Sequence, residues 1–97
     1  MKDGENLEKE IYEIVSSINK LTQQARIHFS KEAEEIIAEK SIDKKRIEGL
    51  LDNLLGFCFE NEILKIFKKL LNYYLYIDEK VSLEYIKAYR EMWEEEL

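Results

Sequence analysis

The chain contains no proline, and over most of its 97 residues apolar side chains recur at intervals of three and four. Proline removes a backbone donor and clashes with the preceding turn, so a chain without it carries no hard stop to helix propagation. Spacing of three and four lines apolar residues along one helix face. The two features together predict an all-α fold: a helical bundle of about four helices with a long N-terminal helix, residues 1–97 forming a single all-helical domain.

The first helix is predicted from about Asn6 to Glu39. Leu7, Ile11, Ile14, Ile18, Leu21 and Ala25 alternate gaps of four and three, a heptad seam over about three repeats. Ile11, Ile18 and Ala25 are its a positions, and Leu7, Ile14 and Leu21 its d positions. Val15 lies beside the seam at an e position, and His28 takes the next d. Beyond Ala25 the apolar residues Phe29, Ala33, Ile36 and Ile37 leave strict heptad spacing, a stutter that does not end a helix. Ser30 is the one residue placed to cap a second segment. Unbroken, the helix would reach on the order of 50 Å, whereas a compact domain of this size has a radius of gyration of about 13 Å. Part of its apolar face must then be covered by two shorter helices lying end to end, or by a second copy of the chain. Ile11, Ile14, Ile18 and Leu21 are the expected self-association residues of a homodimer.

Three shorter helices follow. Ser41 and Asp43 supply capping oxygens before a second carrying Ile47, Leu50, Leu51, Leu54, Leu55 and Cys58, with Gly56 near its end. Glu60 or Asn61 opens a third whose apolar face spans Ile63 to Leu75, and Asp78 or Ser82 a fourth with Leu83, Ile86, Tyr89 and Trp93. The acidic ending Glu94, Glu95, Glu96, Leu97 opposes the helix dipole and is expected to fray.

Composition narrows the function classes. Fifteen Lys+Arg against 21 Asp+Glu give a net charge of −6, which opposes non-specific attraction to nucleic acid or anionic lipid. No apolar run approaches the roughly 20 residues of a membrane span, and the acidic N-terminus does not resemble a signal peptide. The single cysteine, Cys58, cannot form an internal disulfide. A cytoplasmic location is expected, with no cofactor.

Chemistry-bearing clusters are sparse. His28, the only histidine, lacks the Glu-x-x-His pattern of a di-iron bundle and reads as an edge residue of the seam. Glu32, Glu34, Glu35 and Glu39 alternate with Lys31 and Lys40 as a solvated face does. Cys58, between Phe57 and Phe59 on an apolar face, reads as a small buried hydrophobe. The chain is therefore expected to have no catalytic and no metal-ligating residue and not to be an enzyme.

Two surface features remain. Lys44, Lys45 and Arg46 at the entrance to the second helix, with Lys65 and Lys69 on the third, form a basic patch; in a small helix-turn-helix-like DNA-binding regulator they would lie on phosphates. Base-reading side chains are few and the net charge is wrong for that role. Tyr73, Tyr76, Tyr85, Tyr89 and Trp93 crowd the last quarter of the chain. Tyrosine and tryptophan are enriched at binding hot spots, so these five are the expected partner-binding residues.

The stretches Leu50-Leu51-Asp52-Asn53-Leu54-Leu55-Gly56-Phe57-Cys58-Phe59, Ile63-Leu64-Lys65-Ile66-Phe67-Lys68-Lys69-Leu70 and Tyr85-Ile86-Lys87-Ala88-Tyr89-Arg90-Glu91-Met92-Trp93 resemble small uncharacterised acidic proteins carried on conjugative elements of Gram-positive bacteria. The resemblance covers about the second half of the chain. It implies accessory work for a mobile element, such as regulating transfer or blocking host defence as a stoichiometric inhibitor of the anti-CRISPR type. The expectation is a non-enzymatic module that binds another protein.

Overall fold

The computed structural model describes residues 2–94, with side chains from Leu7 onward. Glu95, Glu96 and Leu97, in the ending expected to fray, lie outside the described residues. Four α-helices follow in order: α1 (Lys2–Ala38), α2 (Lys44–Leu55), α3 (Asn61–Leu75) and α4 (Glu79–Tyr89), the last running into a π-helical turn, Arg90–Glu94. The described residues contain no strand.

Helix α1 is continuous through Ser30, which is therefore not a cap. Phe29, Ala33 and Ile36 are buried against the other helices, and cover on both sides of Ser30 leaves the chain no reason to turn there. At its C-terminus Lys40 adopts the left-handed region (φ 53°). The Lys40 amide donates to Ile37 O and the Ser41 amide to Ile36 O, the bonding of a Schellman stop.

Each later helix is opened by a carboxylate that accepts otherwise unpaired backbone N–H groups. Asp43 accepts from the Arg46 amide at 3.2 Å, Glu60 from Ile63 at 3.3 Å, and Asp78 from Val81 at 3.1 Å. Gly56 ends α2.

The core is built where α2 and α3 meet the C-terminal third of α1, with α4 packed on α3. Ile36, Ile47, Leu51, Leu54, Ile63, Phe67, Leu70 and Tyr74 are fully buried within it. Helix α3 runs alongside the end of α1 in the same direction. Near its start Glu60 lies 3.8 Å from Arg26, and near its end the Tyr73 hydroxyl donates to Ser41 O at 2.7 Å. No shorter helix extends over the N-terminal half of α1. A body of four helices thus carries a projecting stalk: the molecule measures 60 × 36 × 19 Å with a radius of gyration of 17.1 Å, against about 13 Å for a compact domain of this length.

Candidate interaction surface

On the stalk the heptad seam is intact and uncovered. Leu7, Ile11, Ile14, Val15, Ile18 and Leu21 are between 49% and 64% exposed, and Tyr12 on an adjoining face is 73% exposed. Monomeric proteins expose single apolar side chains freely but seldom a long contiguous stripe. At about 100° per residue the mean direction of the seam and that of the buried Phe29, Ala33 and Ile36 lie within roughly 50° of each other. The face that packs on the body is thus the face left bare along the stalk. Ala25, packed against the core, is the joint between them.

The stripe leads onto an aromatic edge of the body. Phe29 lies 5.9 Å from Phe57, Phe57 lies 6.2 Å from Phe59, and Phe59 lies 5.8 Å from Trp93, all in tilted contacts. Trp93 donates its indole N–H to Leu55 O at 2.9 Å, supplying a partner to a carbonyl at the end of α2. Trp93 remains 39% exposed, beside Phe59 at 59% and Met92 at 54%. Phe57 and Phe59 had no place in the sequence-predicted surface. Their flanking of Cys58 near a helix end was the available signal, but the approach of Trp93 is a tertiary contact.

The five aromatic residues expected to bind a partner do not form one patch. Tyr73 is tied to Ser41. Tyr85 donates to Asp52 Oδ1 at 2.7 Å and lies 3.2 Å from Glu48 O. Tyr89 packs on Phe67 with ring centroids 6.0 Å apart. Each has a structural task and is only partly exposed. Tyr76, at the end of α3, is 89% exposed, whereas Trp93 lies near the α3 start, at the other end of the body. Burial, reinforced by hydrogen bonds to Asp52 and, for Tyr74, to Glu48 at 2.6 Å, holds the Tyr85 and Tyr74 hydroxyls above the usual phenol range.

Three of the five basic residues, Arg46, Lys44 and Lys65, are similarly occupied. Arg46 places Nε 3.0 Å from Glu32, Nη1 3.0 Å from Glu39 and Nη2 3.8 Å from Glu35. Side-chain hydrogen bonds to Glu39 and Glu32 raise its pKa further. Three carboxylates that read as a solvated face thus clamp α2 to α1. Their spacing at i, i+3 and i+7, a short turn before an arginine, was the signal. Lys44 pairs with Asp78 at 3.1 Å, and Lys65 with Glu62 at 3.3 Å. Lys45 is exposed, and Lys69 with Lys68 rims an open groove over Leu71, Leu75 and Ile86.

Cys58 is buried, and its thiol donates to Leu54 O at 3.3 Å. Burial pushes its pKa up to about 11, which suppresses the thiolate a nucleophile needs. His28 is exposed, 5.9 Å from the Phe29 ring. Among the described residues no group of His, Cys, Asp and Glu is arranged to hold a metal ion. None of their helices is long and apolar enough to cross a membrane. Comparison with known proteins adds no relative: no family model matches the chain, nor does any curated protein or solved structure.

Proposed function

We propose that the protein is a non-enzymatic binding module in which the stalk joins two copies of the chain and the body offers its aromatic edge to a partner protein. The uncovered seam from Leu7 to Leu21 carries this proposal. Helical stability in proteins comes mostly from packing an apolar face. A stalk with an intact seam and no cover within its own chain is a surface in need of an occupant. Another helix with the same three-and-four spacing supplies the matching shape. The Phe59–Trp93 edge has the composition of a hot spot, large rigid rings at low entropy cost. Accessory work of the kind implied by the resemblance to mobile-element proteins, including stoichiometric inhibition of a nuclease, would proceed through such binding and requires no chemistry from the chain.

Sedimentation equilibrium tests the self-association. At micromolar concentration the parent is expected at twice the 11.7 kDa chain mass. Ile14→Glu combined with Ile18→Glu buries unpaired carboxylates in the shared face, at a cost of several kcal/mol, and is expected to give a monomer. Because both residues are exposed in the single chain, the body of that variant should stay folded. A parent that sediments as a monomer throughout the micromolar range would overturn the proposal.

A further inference from the structure

We infer that two copies pair antiparallel along α1, in the register that sets Leu7 against Ala25, Ile11 against Leu21 and Ile14 against Ile18. This rests on the self-association proposed above and fixes its geometry.

The seam by itself points the other way, since isoleucine at a and leucine at d favour parallel two-stranded coils. The body decides against that arrangement. It packs on α1 from Ala25 onward, most deeply from Phe29, on the same side as the seam. A second helix lying parallel along the seam would run into the first copy's body within one turn of Ala25, and its own body would meet the first helix in the same way. Turned end for end, the two bodies sit at opposite ends of the shared stalk, and only the first turn of each helix, before Leu7, reaches past the other copy's Ala25.

Charge gives the same answer independently. The outer stalk carries Glu8, Glu10 and Glu13 against Lys9, whereas residues 16–31 carry Lys20, Arg26 and Lys31 and no acidic residue. Parallel pairing stacks acidic half on acidic half and basic on basic. Antiparallel pairing instead sets Glu8 and Glu10, which flank the seam, along the half of the other copy that carries no acidic residue, and opposes the two helix dipoles. The register follows from the seam, because antiparallel coils layer an a residue against a d residue. Every residue from Leu7 to Ala25 on the seam then meets another seam residue, with the largest overlap the stalk allows. Glu8 falls opposite Thr22 of the second copy, one turn from its Arg26, and Glu10 opposite Gln24.

Thiol cross-linking separates the orientations. Leu7→Cys and Ala25→Cys are prepared separately, mixed and oxidised, with the parent as control because its buried Cys58 stays unreactive. The mixture is expected to give an inter-chain disulfide and Leu7→Cys alone none. The two copies of residue 7 would lie about 27 Å apart at 1.5 Å per residue, beyond the roughly 7 Å Cα separation a disulfide spans. Ile11→Cys mixed with Leu21→Cys provides a second pair should Ala25→Cys disturb the joint. Leu7→Cys bridging to itself would overturn the inference in favour of parallel pairing. Failure of both mixtures while the parent sediments as a dimer would overturn it in favour of another interface. A monomeric parent would instead remove the self-association itself.

Discussion

Stalk and body are written in the same amphipathic pattern, yet one is buried and the other bare. Phe29, Ala33 and Ile36 are at most 8% exposed, while Ile11, Ile14 and Ile18, on the same face of the same helix, exceed 50%. Spacing therefore specifies a face to be covered but not what covers it. The difference arises from length: α2, α3 and α4 have 12, 15 and 11 residues, about 16 to 23 Å each at 1.5 Å per residue. Folded side by side they cover only the last third of a 37-residue helix.

The sharpest contrast should appear on removing one large side chain from each region. Phe67 is 2% exposed and lies among the core residues, so Phe67→Ala is expected to cost about 3–5 kcal/mol. Ile14→Ala, which removes a side chain with no cover in its own chain, should change monomer stability by within about 0.5 kcal/mol. Urea titration at low protein concentration reads both. A large loss for Ile14→Ala in a verified monomer would mean that the stalk is held by intramolecular contacts, and the division would fail.

Hydrogen exchange sharpens the same comparison without altering the body. Helix amides resist exchange only as far as local opening is costly. Amides of residues 33–38 are expected to keep their protection in the Ile14→Glu, Ile18→Glu variant, while those of residues 11–24 lose most of theirs. Stalk protection in the parent should also rise with protein concentration. Stalk amides equally protected in the variant would show a helix that is stable alone.

Much of this organisation was legible in the sequence. Helix number, the excess length of α1 and the caps at Asp43, Glu60 and Asp78, each one of two neighbouring candidates, follow from local signals: spacing, a capping side chain before an apolar run, missing proline. The surface residues were less legible, because exposure depends on what a side chain meets across the fold. Tyr85 and Tyr73 looked available but are bound to Asp52 and Ser41, partners more than thirty residues away. Arg46 looked like part of a basic patch, but the acidic face of α1 surrounds it. Phe59 becomes part of an edge only when the end of α4 brings Trp93 against it. The seam was the most legible surface, since a stripe beyond the reach of the body has no distant partner to conceal it.

Acid should act on the body through Asp78. A hydrogen bond from the Val81 amide and then one from the Lys44 ammonium lower its pKa below the ordinary carboxylate value. A lowered folded pKa contributes stability that is fully present above the unfolded value, about 3.9, and is lost as pH falls through the folded value. The thermal midpoint of the monomeric variant is therefore expected to decline below about pH 4. Asp78→Asn retains a capping oxygen but has no proton to gain and no charge for Lys44, so it should start from a lower midpoint and decline less steeply. An unchanged acid slope would show that Asp78 does not couple α4 to α2 through Lys44.

The smallest effect is expected at Gly49, on the outer side of α2. A β-carbon built there meets nothing within 4 Å, and Gly49 is not among the residues with positive φ. Gly49→Ala therefore adds no clash and removes conformational freedom from the unfolded chain, a gain of about 0.4–1 kcal/mol. Gly56 ends the same helix with φ −67°, and an added β-carbon there would lie 3.7 Å from Asn53 O. Lying past the last helical residue, it should gain less from the same change. The gain at Gly49 belongs to the body alone, so it should raise the urea midpoint of the monomeric variant while leaving the dimer dissociation constant of the parent unchanged. A shift in that constant would place α2 in the dimer interface, where the proposed antiparallel pairing leaves it no part.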